Sequence, residues 1–245
     1  MVSVVKIPED QIELLVKSAI RFFLINHDVD FVVFTDIEPT PHIERVNFIN
    51  IDNSFSNVIT YYQFQKILSL NYINLNKYDY VFIHDIDSLY LNEVIDSDLL
   101  TNELCILDHF TKFTTKDNIF KWTDIVTINN DTLYHTMGNF WGGPSEIIKN
   151  FLEFSNLFWE KNKNYNFNDT GFFSMHSEEV LLMKFIDTYN IKEKRISSSL
   201  NYDTPAYLTD FKGNGNLLKN LSNFKLIHDT KYFIDLSHKI LDNVF

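Results

Sequence analysis

The feature that most limits the possible folds is a set of short, uninterrupted apolar runs that end in polar residues. The segments VDFVVFTD (29–36) and DYVFIHD (79–85) have this pattern, which is typical of strands buried on both faces of a sheet. The segment DQIELLVKSAIRFFL (10–24) instead brings its apolar residues to one helical face. An alternation of buried strands and helices predicts an α/β fold, whose ligands bind beyond the carboxyl ends of the strands.

The rest of the chain continues this alternation. Further strands are predicted at 44–52, 102–110, 193–200 and 223–229, and further helices at 56–76, 144–161 and 176–189. Ser145 is expected to cap the helix that it opens. The chain has 245 residues, of which 45% are hydrophobic, and this is enough for one substantial core. We therefore expect a single domain.

Charge and hydropathy narrow the classes of function. The net charge is −12 and no block of Lys or Arg is present, which argues against general binding of nucleic acid. The single Cys105 excludes an internal disulfide. No apolar segment is long enough to span a bilayer, so we expect a soluble cytoplasmic protein, with peripheral association at the inner membrane left open. The sequence leaves the oligomeric state open.

Asp85 and Asp87 form the most informative pair of residues, because they follow directly on a predicted buried strand. Two carboxylates so placed repel each other and resist desolvation, and a divalent cation would compensate both effects. Oxygen ligands suit Mn²⁺ or Mg²⁺, which also bind pyrophosphate oxygens. A solvated turn or helix cap is one alternative. Another is phosphoryl transfer by a metal-dependent phosphatase, with Asp85 as the nucleophile.

The segment MGNFWGG (137–143) lacks the spacing of a phosphate-binding loop. Its three glycines instead indicate backbone that runs close to a ligand or to another element. Phe140 and Trp141 could line a sugar site, with core packing as the alternative. The abundant aromatic residues also leave open a non-catalytic sugar-binding module.

The segment MHSEEVLL (175–182) places Glu178 and Glu179 in the first turn of a predicted helix. Acidic residues there complement the helix dipole, and a solvated face is the ordinary explanation. The alternative is that one of these carboxylates points into a cleft and faces the anomeric carbon of a sugar.

Together these segments resemble glycosyltransferase family 6, the histo-blood-group A and B transferases and α-1,3-galactosyltransferases, and especially its short soluble microbial members. IELLVKSAIRFF followed by VFTD resembles the first helix and second strand of that family. YDYVFIHDID resembles the strand of that family that ends in a metal-binding Asp-x-Asp. MGNFWGG resembles the family's donor-selecting segment, and MHSEE resembles its Trp-His-Asp-Glu motif.

The resemblance implies a single Rossmann-like GT-A domain with a mixed central sheet over residues 1–245. Its nucleotide- and metal-binding half would span about 1–110, and its acceptor and catalytic half about 111–245. The implied reaction is a retaining transfer of galactose or N-acetylgalactosamine from a UDP-sugar to a galactoside hydroxyl, with an α-1,3 linkage. The acceptor would be an oligosaccharide or glycolipid. Asp85 and Asp87 would hold the cofactor, Mn²⁺ or Mg²⁺.

The resemblance also assigns roles to individual residues. Glu178 matches the catalytic glutamate, and Trp141 would contact the acceptor. The residues that would bind the donor are Val2, Val4, Phe55, Met137, Gly138, Asn139 and His176.

Two departures from the family pattern bear on the donor site. Met175 and Ser177 replace the Trp and Asp of the family motif, so the identity of the donor sugar stays open. Tyr62 stands near the position of an expected arginine to the diphosphate, and Lys66 is the candidate to replace that arginine.

Overall fold

The computed structural model describes residues 9–35, 45–51, 65–85, 88–114, 132–162, 173–197, 206–208 and 224–228. Within these ranges the helices and strands follow in the order α1 (Glu9–Phe22), β1 (Phe31–Thr35), β2 (Val46–Asn50), β3 (Tyr80–His84), β4 (Ser88–Tyr90), α2 (Asp96–Leu99), β5 (Leu104–Thr114), β6 (Thr132–Pro144), α3 (Ser145–Asn162), α4 (Phe173–Tyr189), β7 (Glu193–Ser197), β8 (Ala206–Leu208) and β9 (Phe224–His228). Helices and strands are thus interspersed, as the α/β prediction requires.

The central described sheet contains four strands in the order β3-β6-β5-β7. β6 pairs antiparallel with both β3 and β5, whereas β5 pairs parallel with β7. His84, the last residue of β3, lies opposite Phe140 of β6. The sheet is therefore mixed, and the prediction of an α/β fold with a mixed sheet is confirmed.

Two smaller sheets complete the described strands. β1 and β2 correspond to the strands predicted at 29–36 and 44–52, and they pair in parallel with Phe31 opposite Val46. The other sheet has the order β4-β9-β8, in which β9 pairs antiparallel with β4 and parallel with β8. The sequence analysis did not predict β4 or β8, each of which has only three residues.

Helix α1 begins and ends within two residues of the predicted helix at 10–24. Its apolar face is fully buried at Leu15, Val16 and Ala19. The same face carries Ser18, whose hydroxyl donates to the Leu15 carbonyl at 2.8 Å and accepts from the Tyr90 backbone N–H at 3.1 Å. This hydroxyl therefore ties α1 to β4 through a polar contact inside the core.

The segment that precedes β3 is helical in short pieces. Of the helix predicted at 56–76, residues 56–64 lie outside the described residues, and 65–68 form an α-helical turn. Two 3₁₀ turns follow, at Ser69–Tyr72 and Leu75–Lys77. The Ser145 hydroxyl donates to the Leu75 carbonyl at 2.6 Å, so Ser145 ties the start of α3 to this segment. Its role as a helix cap stays a prediction.

Gly142 lies in the middle of the central sheet, between Phe82 of β3 and Cys105 of β5. A Cβ atom at this position would overlap the Val81 carbonyl oxygen and the backbone of Phe82. Of the two explanations for the glycine-rich segment, close approach to another element is therefore the one seen at Gly142.

Buried apolar residues form two clusters in the described part of the chain. One contains Trp141, Phe151 and Phe185 and joins the central sheet to α3 and α4. The other contains Leu15, Phe23 and Tyr90 and joins α1 to the strands. No helix in the described ranges is long and apolar enough to cross a membrane.

Candidate functional site

The site begins at the carboxyl end of β3, where Asp85 follows His84 directly. The Asp85 side chain is 35% exposed, so it lies at the boundary between the core and solvent. Burial lowers the pKa of His84 to about 3, and its ring is therefore neutral beside Tyr90 and Phe140. Asp87, the second predicted metal ligand, lies outside the described residues. The structure thus locates one carboxylate of the Asp-x-Asp pair.

Lys66 reaches this carboxylate from the helical turn at 65–68. Its Nζ atom donates to Asp85 Oδ1 at 2.6 Å and to Glu178 Oε1 at 2.7 Å. Asp85 Oδ1 and Glu178 Oε1 therefore lie close together, because both bond to the same nitrogen atom. Lys66, Asp85 and Glu178 form a cluster that we call the lysine–carboxylate triad.

Glu178 enters the triad from α4, and its surroundings differ from the sequence prediction. The helix begins at Phe173, so Glu178 and Glu179 lie in its second turn rather than its first. Both residues are buried, at 6% and 8% exposure. The explanation by a solvated face is therefore wrong, and Glu178 points inward to Lys66. That Glu178 faces a cleft stays a prediction.

The charges of the triad follow from its burial. Burial by itself lowers the pKa of Lys66, but the Asp85 and Glu178 carboxylates together hold it above its ordinary value. Burial raises the pKa of Glu178 to about 8, against the attraction of Lys66 and with repulsion from Asp85 added. Because two carboxylates share one ammonium, the more buried carboxyl group retains its proton more readily. Glu178 is thus mostly protonated at neutral pH and ionises as the pH rises through about 8.

The predicted donor-binding residues lie in three places. Met137, Gly138 and Asn139 belong to β6, where Met137 is the pairing partner of Leu107 of β5. His176 belongs to the first turn of α4, shortly before Glu178. Phe55, Val2 and Val4 lie outside the described residues. The donor-binding roles of all these residues remain predictions.

Trp141, predicted to contact an acceptor, lies in the core. Its side chain is 1% exposed and its ring packs edge-on against Phe151 at a centroid distance of 5.2 Å. Phe140, its neighbour in β6, is also fully buried. The core-packing alternative therefore accounts for both aromatic residues, and we no longer place Trp141 in an acceptor site.

The described residues can be tested for their fit to a divalent cation. They contain no group of three or more His, Cys, Asp or Glu side chains that could hold a metal ion. A site made of Asp85 and Asp87 would instead suit a cation that takes its remaining ligands from water and phosphate oxygens, as Mg²⁺ commonly does. The partly exposed Asp85, on the solvent side of the triad, fits this kind of site.

The sequence analysis named Lys66 only as a possible replacement for an arginine to the diphosphate. Its contact with both acidic residues was missed, because these partners lie 19 and 112 residues away along the chain. One signal was present, since Lys66 stands within the largely apolar segment QKILSL (65–70). A lysine buried there needs a carboxylate partner.

Comparison with known proteins adds no assignment to this geometry. No protein-family model matches the sequence, and no curated protein matches it.

Proposed function

We propose that this protein is a retaining glycosyltransferase with a GT-A fold and a requirement for Mn²⁺ or Mg²⁺. It would move galactose or N-acetylgalactosamine from a UDP-sugar to a hydroxyl of a galactoside, with an α-1,3 linkage. The observation that supports this proposal most strongly is the lysine–carboxylate triad. In this triad, the ammonium of Lys66 joins Asp85, the predicted metal ligand, to Glu178, the predicted catalytic carboxylate.

In the proposed reaction, the bond between the anomeric carbon and the UDP oxygen breaks, and the acceptor oxygen bonds to the same face of the sugar. The proton of the acceptor hydroxyl passes to the departing diphosphate. Asp85 and Asp87 would hold the cation, which supplies Lewis-acid stabilisation of the departing diphosphate. Glu178 would stabilise the positive charge that develops at the anomeric carbon, either as an ion pair or by a brief covalent bond.

Glu178 can stabilise positive charge at the anomeric carbon only in its ionised form. Two features of the site shift its pKa in opposite directions. Burial of the carboxyl group favours the protonated state, whereas the Lys66 ammonium at 2.7 Å favours the carboxylate. The proposed activity should therefore increase with pH as Glu178 ionises around its raised pKa of about 8.

The test is a calorimetric titration with UDP, with and without Mn²⁺. The wild type should bind UDP more tightly when Mn²⁺ is present. Asp85→Asn and Asp87→Asn should lose this gain, because each removes an anionic oxygen ligand. Asp28→Asn, at a fully exposed carboxylate, serves as the matched control and should behave as the wild type does.

Undiminished Mn²⁺-dependent UDP binding in Asp85→Asn and Asp87→Asn would count decisively against the proposal. A screen of UDP-sugar hydrolysis with several donors and metals then identifies the donor, and acceptor trials follow with that donor. Glu178→Gln should still bind UDP more tightly with Mn²⁺ than without it, but should hydrolyse no UDP-sugar.

A second candidate is the metal-dependent phosphatase with Asp85 as nucleophile, which the Lys66–Asp85 contact favours. A lysine beside a nucleophilic aspartate would also stabilise a transferring phosphoryl group. Release of phosphate from an aryl phosphate, without any sugar nucleotide, would support this candidate. A non-catalytic sugar-binding module has less support, because Phe140 and Trp141, two of the aromatic residues that suggested it, are buried.

A further inference from the structure

We propose that Lys66 is a positioning residue that couples cation binding at Asp85 to the orientation of Glu178. This inference rests on the proposed function. Its basis is that one ammonium group serves both carboxylates, at 2.6 Å from Asp85 and 2.7 Å from Glu178. A change in the charge at either carboxylate must therefore be felt at the other through Lys66.

The backbone that carries Lys66 is held firmly. The neighbouring residues Gln65, Ile67, Ser69 and Leu70 are all buried, and the Ser69 hydroxyl donates to the Gln65 carbonyl. The Lys66 side chain itself is only 8% exposed. The ammonium consequently cannot move into solvent without opening a packed segment, and it stays close to the two carboxylates.

Lys66 and a divalent cation would compete for the same carboxylate. Hard cations approach carboxylate oxygens to about 2.0–2.6 Å, and a cation at Asp85 would repel the ammonium already bonded to Oδ1. Asp85 would then share less of its charge with Lys66, which would draw closer to Glu178. Lys66 thus orients Glu178 most strongly when the metal and nucleotide are in place.

A purely structural role explains this arrangement poorly. Replacement of a buried ion pair by apolar residues of similar volume is often neutral or stabilising, so the buried Lys66–Glu178 pair is a poor way to stabilise a core. The Asp85 carboxylate is 35% exposed, whereas the Lys66 and Glu178 side chains are 8% and 7% exposed. The triad therefore leads from the solvent boundary to a buried carboxylate, as a coupling between two parts of one site requires.

The experiment measures Mn²⁺ binding and catalysis separately in Lys66→Met. Binding of Mn²⁺ alone is followed by the loss of the free-ion signal in electron paramagnetic resonance, and kcat and KM are taken from UDP-galactose hydrolysis. Lys66→Met should bind Mn²⁺ at least about tenfold more tightly, because a competing positive charge is gone. Its kcat should fall about 100-fold with little change in KM, because Glu178 has lost its orienting partner.

Three further variants complete the design. Lys66→Arg keeps the charge and should retain most of the kcat and the wild-type Mn²⁺ affinity. Lys17→Met, at a lysine with a 60% exposed side chain in α1, should change neither quantity. Should Lys66→Met fail to fold, Lys66→Gln replaces it, because glutamine is uncharged but can still donate to a carboxylate. Lys66→Gln should also bind Mn²⁺ more tightly and have a lower kcat than the wild type.

The outcomes separate this inference from the proposed function. Weaker Mn²⁺ binding together with a lower kcat in the uncharged variants would reveal a merely structural lysine and overturn the inference. Tighter Mn²⁺ binding with an unchanged kcat would overturn the coupling to Glu178 and leave the transferase proposal standing. A wild type that binds Mn²⁺ but hydrolyses no UDP-sugar would refute the proposed function and the coupling together.

Discussion

Replacement of Glu178 by glutamine should stabilise the folded protein at alkaline pH, even though it removes the proposed catalytic group. Burial, acting against Lys66, raises the pKa of Glu178 to about 8 from an ordinary value of 4.5. The folded state therefore binds the proton of this carboxyl group more tightly than the unfolded state does. The resulting stabilisation is fully present below about pH 4.5 and is lost as the pH rises through about 8.

The size of this loss follows from the two pKa values. Each unit of difference corresponds to about 1.4 kcal/mol, and between about pH 5 and pH 8.5 the wild type should lose about 4 kcal/mol of stability through this group. Glutamine has nearly the same shape, does not titrate, and can still accept a hydrogen bond from Lys66. The free energy of unfolding of Glu178→Gln, minus that of the wild type, should accordingly increase by about 4 kcal/mol over this range.

Urea denaturation at a series of pH values, followed by tryptophan fluorescence, measures this difference. The fully buried Trp141 provides a reporter of unfolding. The difference between the two proteins cancels the titration of those carboxyl groups that do not interact with Glu178. Glu146→Gln is the matched control for the same substitution at a side chain that is 76% exposed in α3. A pH dependence that both variants share is not assigned to the burial of Glu178. A flat or decreasing curve for Glu178→Gln would refute the reasoning about the buried carboxyl group.

Two other substitutions test the packing around the site. Gly142→Ala should lower the free energy of unfolding by about 3 kcal/mol or more, because its Cβ would overlap the Val81 carbonyl in the middle of the sheet. Urea denaturation measures this free energy, and a value equal to that of the wild type would contradict the close approach of β6 to β3 at Gly142. Ser18→Ala should cost about 1–3 kcal/mol, since the buried Tyr90 N–H loses its acceptor. Amide hydrogen exchange at Tyr90 should become faster than in the wild type, and unchanged exchange would show that the hydroxyl does not protect it.

The longer elements could be predicted from the sequence because each contains several periods of its pattern. The helix predicted at 144–161 and the strand predicted at 79–85 differ from α3 and β3 by only one residue at each end. β4 and β8 have three residues each, which is too short for a period of two to be recognised. Sequence periodicity thus predicted the α/β class but missed two of the three strands in the third sheet.

The sequence predicted which residues belong to the candidate site better than it predicted how those residues contact one another. The position of Asp85 after a strand followed from the apolar run before it. The burial of Glu178 did not, because α4 begins three residues earlier than the predicted helix and moves the glutamate from the exposed first turn to the second. Nor does any local pattern join Lys66 to Glu178, since their contact spans 112 residues. Contacts over such separations are set by tertiary packing.

This long separation also has a consequence for how the chain reaches its native state. Closure of a loop of 112 residues carries a large entropic cost, and the contact becomes favourable only when both ends are already ordered. We therefore expect the lysine and the glutamate to meet late, after the rate-limiting barrier has been crossed. Mutations at these two positions should then alter how quickly the protein unfolds and leave its folding rate almost unchanged, so that evolution could modify the reactive centre without slowing its assembly.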